Sequence, residues 1–95
     1  MAGSDPIDVS IVIPMFNAET TIEAAITSLR NQEKTAVSEI IVVDDGSTDR
    51  SLHIVQSLAR GDPRIVIFEQ DHAGAARAVN RGISHASGDL VGLLD

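Results

Sequence analysis

The sequence predicts an α/β fold, a mostly parallel sheet covered by helices on both faces. Three observations lead there. Four strand-length runs of Ile, Val and Leu alternate with three segments whose apolar residues recur at helical spacing. Hydrophobic residues make up 43% of the chain but aromatics only 2%, so the core is built from Ile, Val, Leu and Ala, as in strands buried on both faces. The connections are short, and right-handed crossovers then make the strands parallel. At 95 residues the chain fits one small domain, with residues 1–8 read as a tail and 9–95 as the domain.

Residues 9–14, Val-Ser-Ile-Val-Ile-Pro, form a first strand, which the proline is expected to stop because it lacks the N–H that a ladder needs. Ile22, Ala25, Ile26 and Leu29 mark the first helix, with Thr20 or Thr21 as N-cap and Glu23 in the first turn. Residues 39–45, Glu-Ile-Ile-Val-Val-Asp-Asp, form a second strand whose four consecutive β-branched residues need apolar cover on both faces. Ser47, Thr48 and Asp49 supply caps for a brief second helix with Leu52, Val55 and Leu58 on one face, and Gly61, Asp62 and Pro63 end it. The third strand, residues 64–69, is centred on Ile65, Val66, Ile67 and Phe68. Gly74 then opens a third helix with Ala76, Val79, Ile83 and Ala86 on one face, and Gly88 stands where a C′ glycine ends it. Residues 90–94 form a fourth strand that stops at Asp95, which implies a truncated domain with an open sheet edge.

Composition excludes several functions. The formal net charge of −7, from 14 acidic against 7 basic residues, excludes a nucleic-acid polymer as partner, because phosphate-backbone binding needs a basic face. A single nucleotide stays open. With no cysteine there are no disulfides or thiolate metal sites. The polar N-terminus does not read as a signal peptide, and every apolar run is far shorter than the roughly 20 residues of a membrane span, so the expected location is cytoplasmic.

Ligands of such sheets bind beyond the carboxyl ends of the strands, here residues 14–19, 44–48, 70–74 and 95. No Gly-x-Gly-x-x-Gly follows the first strand and no Gly-x-x-x-x-Gly-Lys occurs, which disfavours a dinucleotide or P-loop site. A Gly-x-Ser-x-Gly elbow and a His-Glu-x-x-His pair are absent too. The strand ends carry carboxylates instead: Glu19, Asp44, Asp45 and Asp95. Such groups accept hydrogen bonds from ribose hydroxyls or a base N–H, or hold Mg²⁺ or Mn²⁺. By composition alone, Asp-Asp-Gly-Ser-Thr-Asp at 44–49 is equally a turn followed by a helix cap. Of the histidines, His53 and His85 fall on helices and only His72 lies in a strand-end loop.

Four blocks in order resemble the family 2 glycosyltransferases of the GT-A fold: residues 9–17, 39–49, 74–82 and 88–95. The resemblance covers nearly the whole chain from Val9 and implies a Rossmann-like half of that fold, with four strands in the order 3-2-1-4. In that family the Pro-x-Tyr-Asn turn lies against the nucleotide base; it maps onto Pro14, Phe16 and Asn17, with Glu19 following. Phe16 stands in place of Tyr, keeping a stacking face and losing a hydroxyl; the alternative for Phe16 is a core position. Asp44 and Asp45 match the family's Asp-Asp-Gly-Ser, whose carboxylates read the base and ribose, and Asp45 is the stronger candidate. Gly74, Ala78, Asn80 and Gly82 match a third motif, in which His72 replaces a common Asn; Asn80 and Gly82 equally fit close helix packing. Arg77 is placed to approach the diphosphate or to be a surface charge. Asp95 matches the first acidic residue of the Asp-x-Asp metal motif.

The resemblance implies a parent enzyme that transfers a sugar from a nucleotide-diphosphate donor, UDP-sugar being favoured, to a carbohydrate, lipid or protein acceptor, with inversion. A divalent cation, Mg²⁺ or Mn²⁺, is expected only in the complete enzyme, where it acts on the leaving diphosphate while a carboxylate deprotonates the acceptor. In the family that base lies downstream, so these 95 residues are expected to be inactive alone. Two rival readings lack their defining residues. A nucleotidyltransferase of similar topology wants a basic Gly-rich loop after the first strand, which residues 15–20 lack, and a flavodoxin-like or response-regulator-like module wants a later Lys, whereas the only lysine is Lys34.

Overall fold

The computed structural model describes residues 7–32 and 37–94. Its elements run β1 (Val9–Met15), α1 (Ile22–Arg30), β2 (Val37–Asp44), α2 (Ser51–Arg60), β3 (Ile65–Glu69), α3 (Ala75–His85) and β4 (Leu90–Leu93). All strand pairs are parallel and the order is β3-β2-β1-β4, as expected. Of residues 1–8, only Ile7 and Asp8 are described, and Asp8 already joins the sheet by accepting the Leu90 N–H at 3.1 Å.

Alternation along the strands divides the core in two. Ile13, Met15, Ile40, Val42 and Ile65 pack under α1 and α2 against Ile22, Ile26, Leu29 and Val55. Val12, Ile41 and Val43 face the other way, under Ala78 of α3. β2 thus has apolar cover on both faces, and its residues 40–43 are fully buried. Each such side chain contributes about 1.5–3 kcal/mol of hydrophobic stabilisation.

Several boundaries differ from expectation for identifiable reasons. Pro14 does not end β1: it pairs in register with Val43, and Met15 pairs with Asp44. The Val12 carbonyl accepts from Leu94 N, on the β4 side, whereas the Met15 carbonyl accepts from Asp45 N, on the β2 side. Pro14, two residues beyond Val12, would therefore aim its missing N–H toward β4, whose pairing with β1 ends at Val12 and Leu93. The proline limits the β4 ladder and spares the β2 ladder. Thr21 is the N-cap of α1, but its side chain makes no capping bond. The N-cap of α2 is Arg50; Asp49, one residue earlier, accepts the Ser51 N–H at 2.9 Å and so satisfies a first-turn donor. On α2 the core-facing set is Ile54, Val55, Leu58 and Ala59, with Leu52 outside it.

The largest correction concerns α3. Its buried residues are Ala78 and Gly82, while Ala76 is exposed and Ile83 is 48% exposed. The helix lies so close to the sheet that a Cβ on Gly82 would fall on Val12 Cγ1, so the smallest residues face inward. Gly88 is not the C′ glycine either: Ala86, in extended conformation, is the C-cap. Gly88 instead lies where a Cβ would meet Ser10 N at 2.8 Å and Asp8 O at 2.9 Å, and its own N–H donates to Ser10 Oγ at 2.9 Å.

The Gly82 contact makes a prediction. Gly82→Ala gains up to about 1 kcal/mol of helix propensity but forces a methyl into a stiff, fully buried valine, an overpacking cost of about 1–3 kcal/mol. A net loss of about 1–2 kcal/mol is expected in urea unfolding, and the double variant Val12→Ala/Gly82→Ala should show less than the sum of the single losses.

Candidate functional site

In the order β3-β2-β1-β4 the chain steps outward from β1 through β2 to β3, then returns to the other side of β1. Crevices form beyond the carboxyl ends of strands at such a reversal. A cavity of about 300 Å³ opens there, lined by Pro14, Met15 and Phe16 from the end of β1, Asp45 from the end of β2, His72 from the β3–α3 loop, and Ala75 from α3. Its volume is at the lower end of small-molecule sites.

Asp45 forms the buried back wall, with 2% of its surface exposed. Its Oδ1 accepts Gln70 Nε2 at 2.9 Å and the Ala73 N–H at 2.7 Å. Oδ2 accepts the Gly74 N–H at 3.0 Å and lies 3.0 Å from His72 Nδ1. The same Nδ1 is 3.1 Å from the Asp45 carbonyl oxygen. Both neighbours of Nδ1 are acceptors, so Nδ1 carries the proton and donates. A carboxylate offers about four lone-pair sites, and four donors fill them. These bonds, that from Gln70 first and that from Ala73 next, hold the Asp45 carboxyl below its ordinary range against the opposing effect of burial.

The loop is shaped to deliver these donors. Gly74 adopts φ 101°, a conformation that side-chain-bearing residues rarely take, and Gly46 has φ 76°, with a Cβ there 2.8 Å from His72 N. The glycine of the Asp-Asp-Gly block therefore lets the β3–α3 loop lie against the β2–α2 loop. Over the cavity, the His72 ring stacks on Phe16 with centroids 4.2 Å apart and planes 29° apart. Phe16 is 45% exposed, so it is not a core residue.

The remaining candidates fall into different places. Asn17, at φ 49°, accepts the Thr48 N–H at 2.8 Å through Oδ1 and donates its own N–H to Ser47 Oγ at 2.9 Å. Glu19 is exposed; its N–H donates to Asp49 Oδ2 at 3.2 Å and its Oε2 accepts the Arg50 N–H at 3.3 Å. Both tie the β1–α1 turn to the β2–α2 loop, and neither lines the cavity. Asp44 is buried, accepts the Ser47 N–H at 3.3 Å, and faces a second, more acidic depression of about 320 Å³ that also includes Glu69 and Asp71. Arg77 is exposed on α3 and lines neither depression. Pro14, Phe16 and Asp45 are the predicted residues that the fold brings together. Sequence reasoning missed Gln70 as a partner of Asp45 and gave His72 no assigned role, although its place in a strand-end loop was the available signal.

Asp95 lies outside the described residues. Among the described residues no group of three or more His, Asp or Glu side chains is arranged to hold a metal ion. No helix among them is long and apolar enough to cross a membrane.

The family model for glycosyl transferase family 2 matches residues 10–95. EpsJ of Bacillus subtilis (strain 168), named as an uncharacterized glycosyltransferase, is 42% identical over 87 residues, covering 92% of this chain and 25% of that protein. The mannosyltransferase PcManGT from Pyrobaculum calidifontis, solved with GDP-Man and Mn²⁺, is similar with a TM-score of 0.82 at 26% identity, covering 93% of this chain and 27% of that one. TarS 1–349 of S. aureus, solved with UDP, is similar with a TM-score of 0.83 at 28% identity, covering 94% and 27%. The chain spans about a quarter of the length of these relatives.

Two predictions rest on Asp45. Asp45→Asn puts an NH₂ group against donors, so the Ala73 and Gly74 amides should exchange on the order of tenfold faster in hydrogen–deuterium exchange. Because the folded carboxyl is held low, its stabilisation is complete above the unfolded value of about 4 and is lost as pH falls through the folded value. The stability gap between wild type and Asp45→Asn in urea should therefore be widest at neutral pH and should narrow as pH falls below the unfolded value of about 4.

Proposed function

This chain belongs to glycosyl transferase family 2, and from that premise we propose that it binds the nucleotide of a nucleotide-diphosphate sugar, whose sugar the enzyme transfers to an acceptor hydroxyl with inversion. The observation that carries this reading is the cavity at the strand ends, where an exposed aromatic face at Phe16 and apolar contacts from Pro14 and Met15 meet a polar wall at Asp45. A nucleobase is flat, apolar on its faces and polar at its edge, and it matches such a slot. The neighbours solved with GDP-Man and with UDP support a nucleotide-diphosphate ligand, and a UDP-sugar is the donor favoured here.

In this reading Phe16 supplies the stacking face and Asp45 acts chiefly by holding the residue 70–74 loop against the slot. Asn17 and Glu19 serve by fixing the β1–α1 turn that carries Phe16. Asp44 is assigned to the ribose side and Arg77, from the first turn of α3, to the diphosphate. The acceptor, a carbohydrate, lipid or protein, and the base that deprotonates it are assigned to residues beyond these elements. A divalent cation, Mg²⁺ or Mn²⁺, belongs to the reading through Asp95, supported by the Mn²⁺ of the mannosyltransferase neighbour. The described residues do not form a site for it, and no chemical step is derived through it.

Calorimetric titration with UDP, GDP and uridine, each with and without Mn²⁺, tests the reading. Saturable binding of a nucleotide is expected, weakened about tenfold or more by Phe16→Ala, since stacking of a base on an aromatic is worth about 1–3 kcal/mol. Absence of binding by every nucleotide under all these conditions would overturn it.

A further inference from the structure

We propose, independently of the nucleotide reading, that β3 is an interaction edge for a second copy of this chain, the two β3 strands pairing antiparallel about a twofold axis at Ile67. In the order β3-β2-β1-β4 the strand Ile65–Glu69 lies at the rim of the sheet and, among the described residues, pairs with β2 alone. The Ile40 N–H donates to the Arg64 carbonyl at 2.9 Å and the Gln70 N–H to the Asp44 carbonyl at 2.9 Å, so residues 64 and 70, and with them 66 and 68, turn their backbone groups toward β2. Ile65, Ile67 and Glu69 therefore turn theirs outward. The groups at the two ends of that outward row are already taken within the chain: the Ile65 N–H donates to the Asp62 carbonyl at 3.2 Å, and the Glu69 carbonyl accepts Arg81 Nη1 at 2.7 Å. Between them, the Ile65 carbonyl, the Ile67 N–H and carbonyl, and the Glu69 N–H make no hydrogen bond among the described residues.

These open groups are self-complementary, which is what selects a second copy as the occupant. With Ile67 opposite Ile67 of the second copy, each Ile67 N–H meets the other Ile67 carbonyl and each Glu69 N–H meets the other Ile65 carbonyl, while the groups already spent at the strand ends face one another. A shift of two residues would set an open group against a spent one, so the pattern also selects the register. In that register Val66 of each copy stands in a closely spaced, non-hydrogen-bonded pair with Phe68 of the other, a β-branched residue beside an aromatic. Both are only half-buried in their own sheet, so the pairing covers apolar surface. The run Ile-Val-Ile-Phe carries no lysine, proline or bulge of the kind that keeps edge strands apart. Four strands from each copy would form one continuous sheet whose halves run in opposite directions, so the two cavities open at opposite ends, and the pairing braces the strand that leads into the residue 70–74 loop.

Sedimentation of the full chain across a concentration series tests the pairing, with Glu69→Pro as the disrupting variant. Glu69 is exposed and its N–H faces away from β2, and proline is tolerated on the open side of an edge strand, so the variant removes that N–H without removing a bond to β2. A reversible monomer–dimer equilibrium is expected for wild type, with the dissociation constant raised about tenfold or more in Glu69→Pro, because the twofold axis makes one substitution remove two hydrogen bonds. In a dimer mixed from isotope-labelled and unlabelled wild-type chains, NMR contacts between the copies are expected at Val66 and Phe68, a measurement that holds whether or not the variant folds. A chain that stays monomeric at every concentration would overturn the proposal. So would a dimer equally stable in folded Glu69→Pro, or one whose contacts between copies fall on the exposed Leu90, Val91 and Leu93 of β4, at the opposite edge of the sheet.

Discussion

The carboxylate of Asp45 sits at the end of β2, almost wholly buried, as acceptor for four donors of its own chain, and the shape of the cavity depends on it. An ionised group out of water is costly unless every lone pair is used. Here the partners all come from residues 70–74, so satisfying the charge and placing the β3–α3 loop are one event. Where the loop goes, His72 and the start of α3 go too. The glycines on both sides of this contact are constrained by it: Gly46 gives the loop room and Gly74 turns it into the helix.

A second set of polar contacts does the same for the β1–α1 turn. Asn17 receives backbone N–H groups of the β2–α2 loop, Asp49 receives those of Glu19 and Ser51, and Ser51 Oγ accepts the Ala18 N–H. The polar block at 44–49 is therefore neither a mere turn nor a set of free ligand contacts. Its side chains lock the loops at three strand ends to one another, and the exposed Phe16–His72 pair rides on that frame. Rigid supports of this kind keep a half-open slot in one shape.

Much of the fold was legible because the strong signals are local. Runs of β-branched residues, helical spacing and short connections sufficed for seven elements in order and for cover on both faces of β2. The misread details have a common cause: they depend on distance between elements. Periodicity favoured the larger apolar residues of α3, whereas the helix approaches the sheet closely enough that Ala78 and Gly82 face it. Pro14 reads as a terminator until its neighbour on each side is known, because proline breaks the ladder on one side only.

The candidate site divides the same way. Sequence alone determined that carboxylates and an aromatic residue gather at the carboxyl ends of parallel strands, since order and polarity of the elements follow from the chain, and the ordered blocks identified the family. Tertiary structure decided which of those groups face the cavity and which are already spent. Asp45 carries the right chemistry for a ligand contact, but whether its lone pairs are free depends on amides 25 to 29 residues away. The tautomer of His72 is fixed by the same carboxylate. Hydrogen-bond saturation is a property of three-dimensional neighbours, and residue type and spacing carry no record of it.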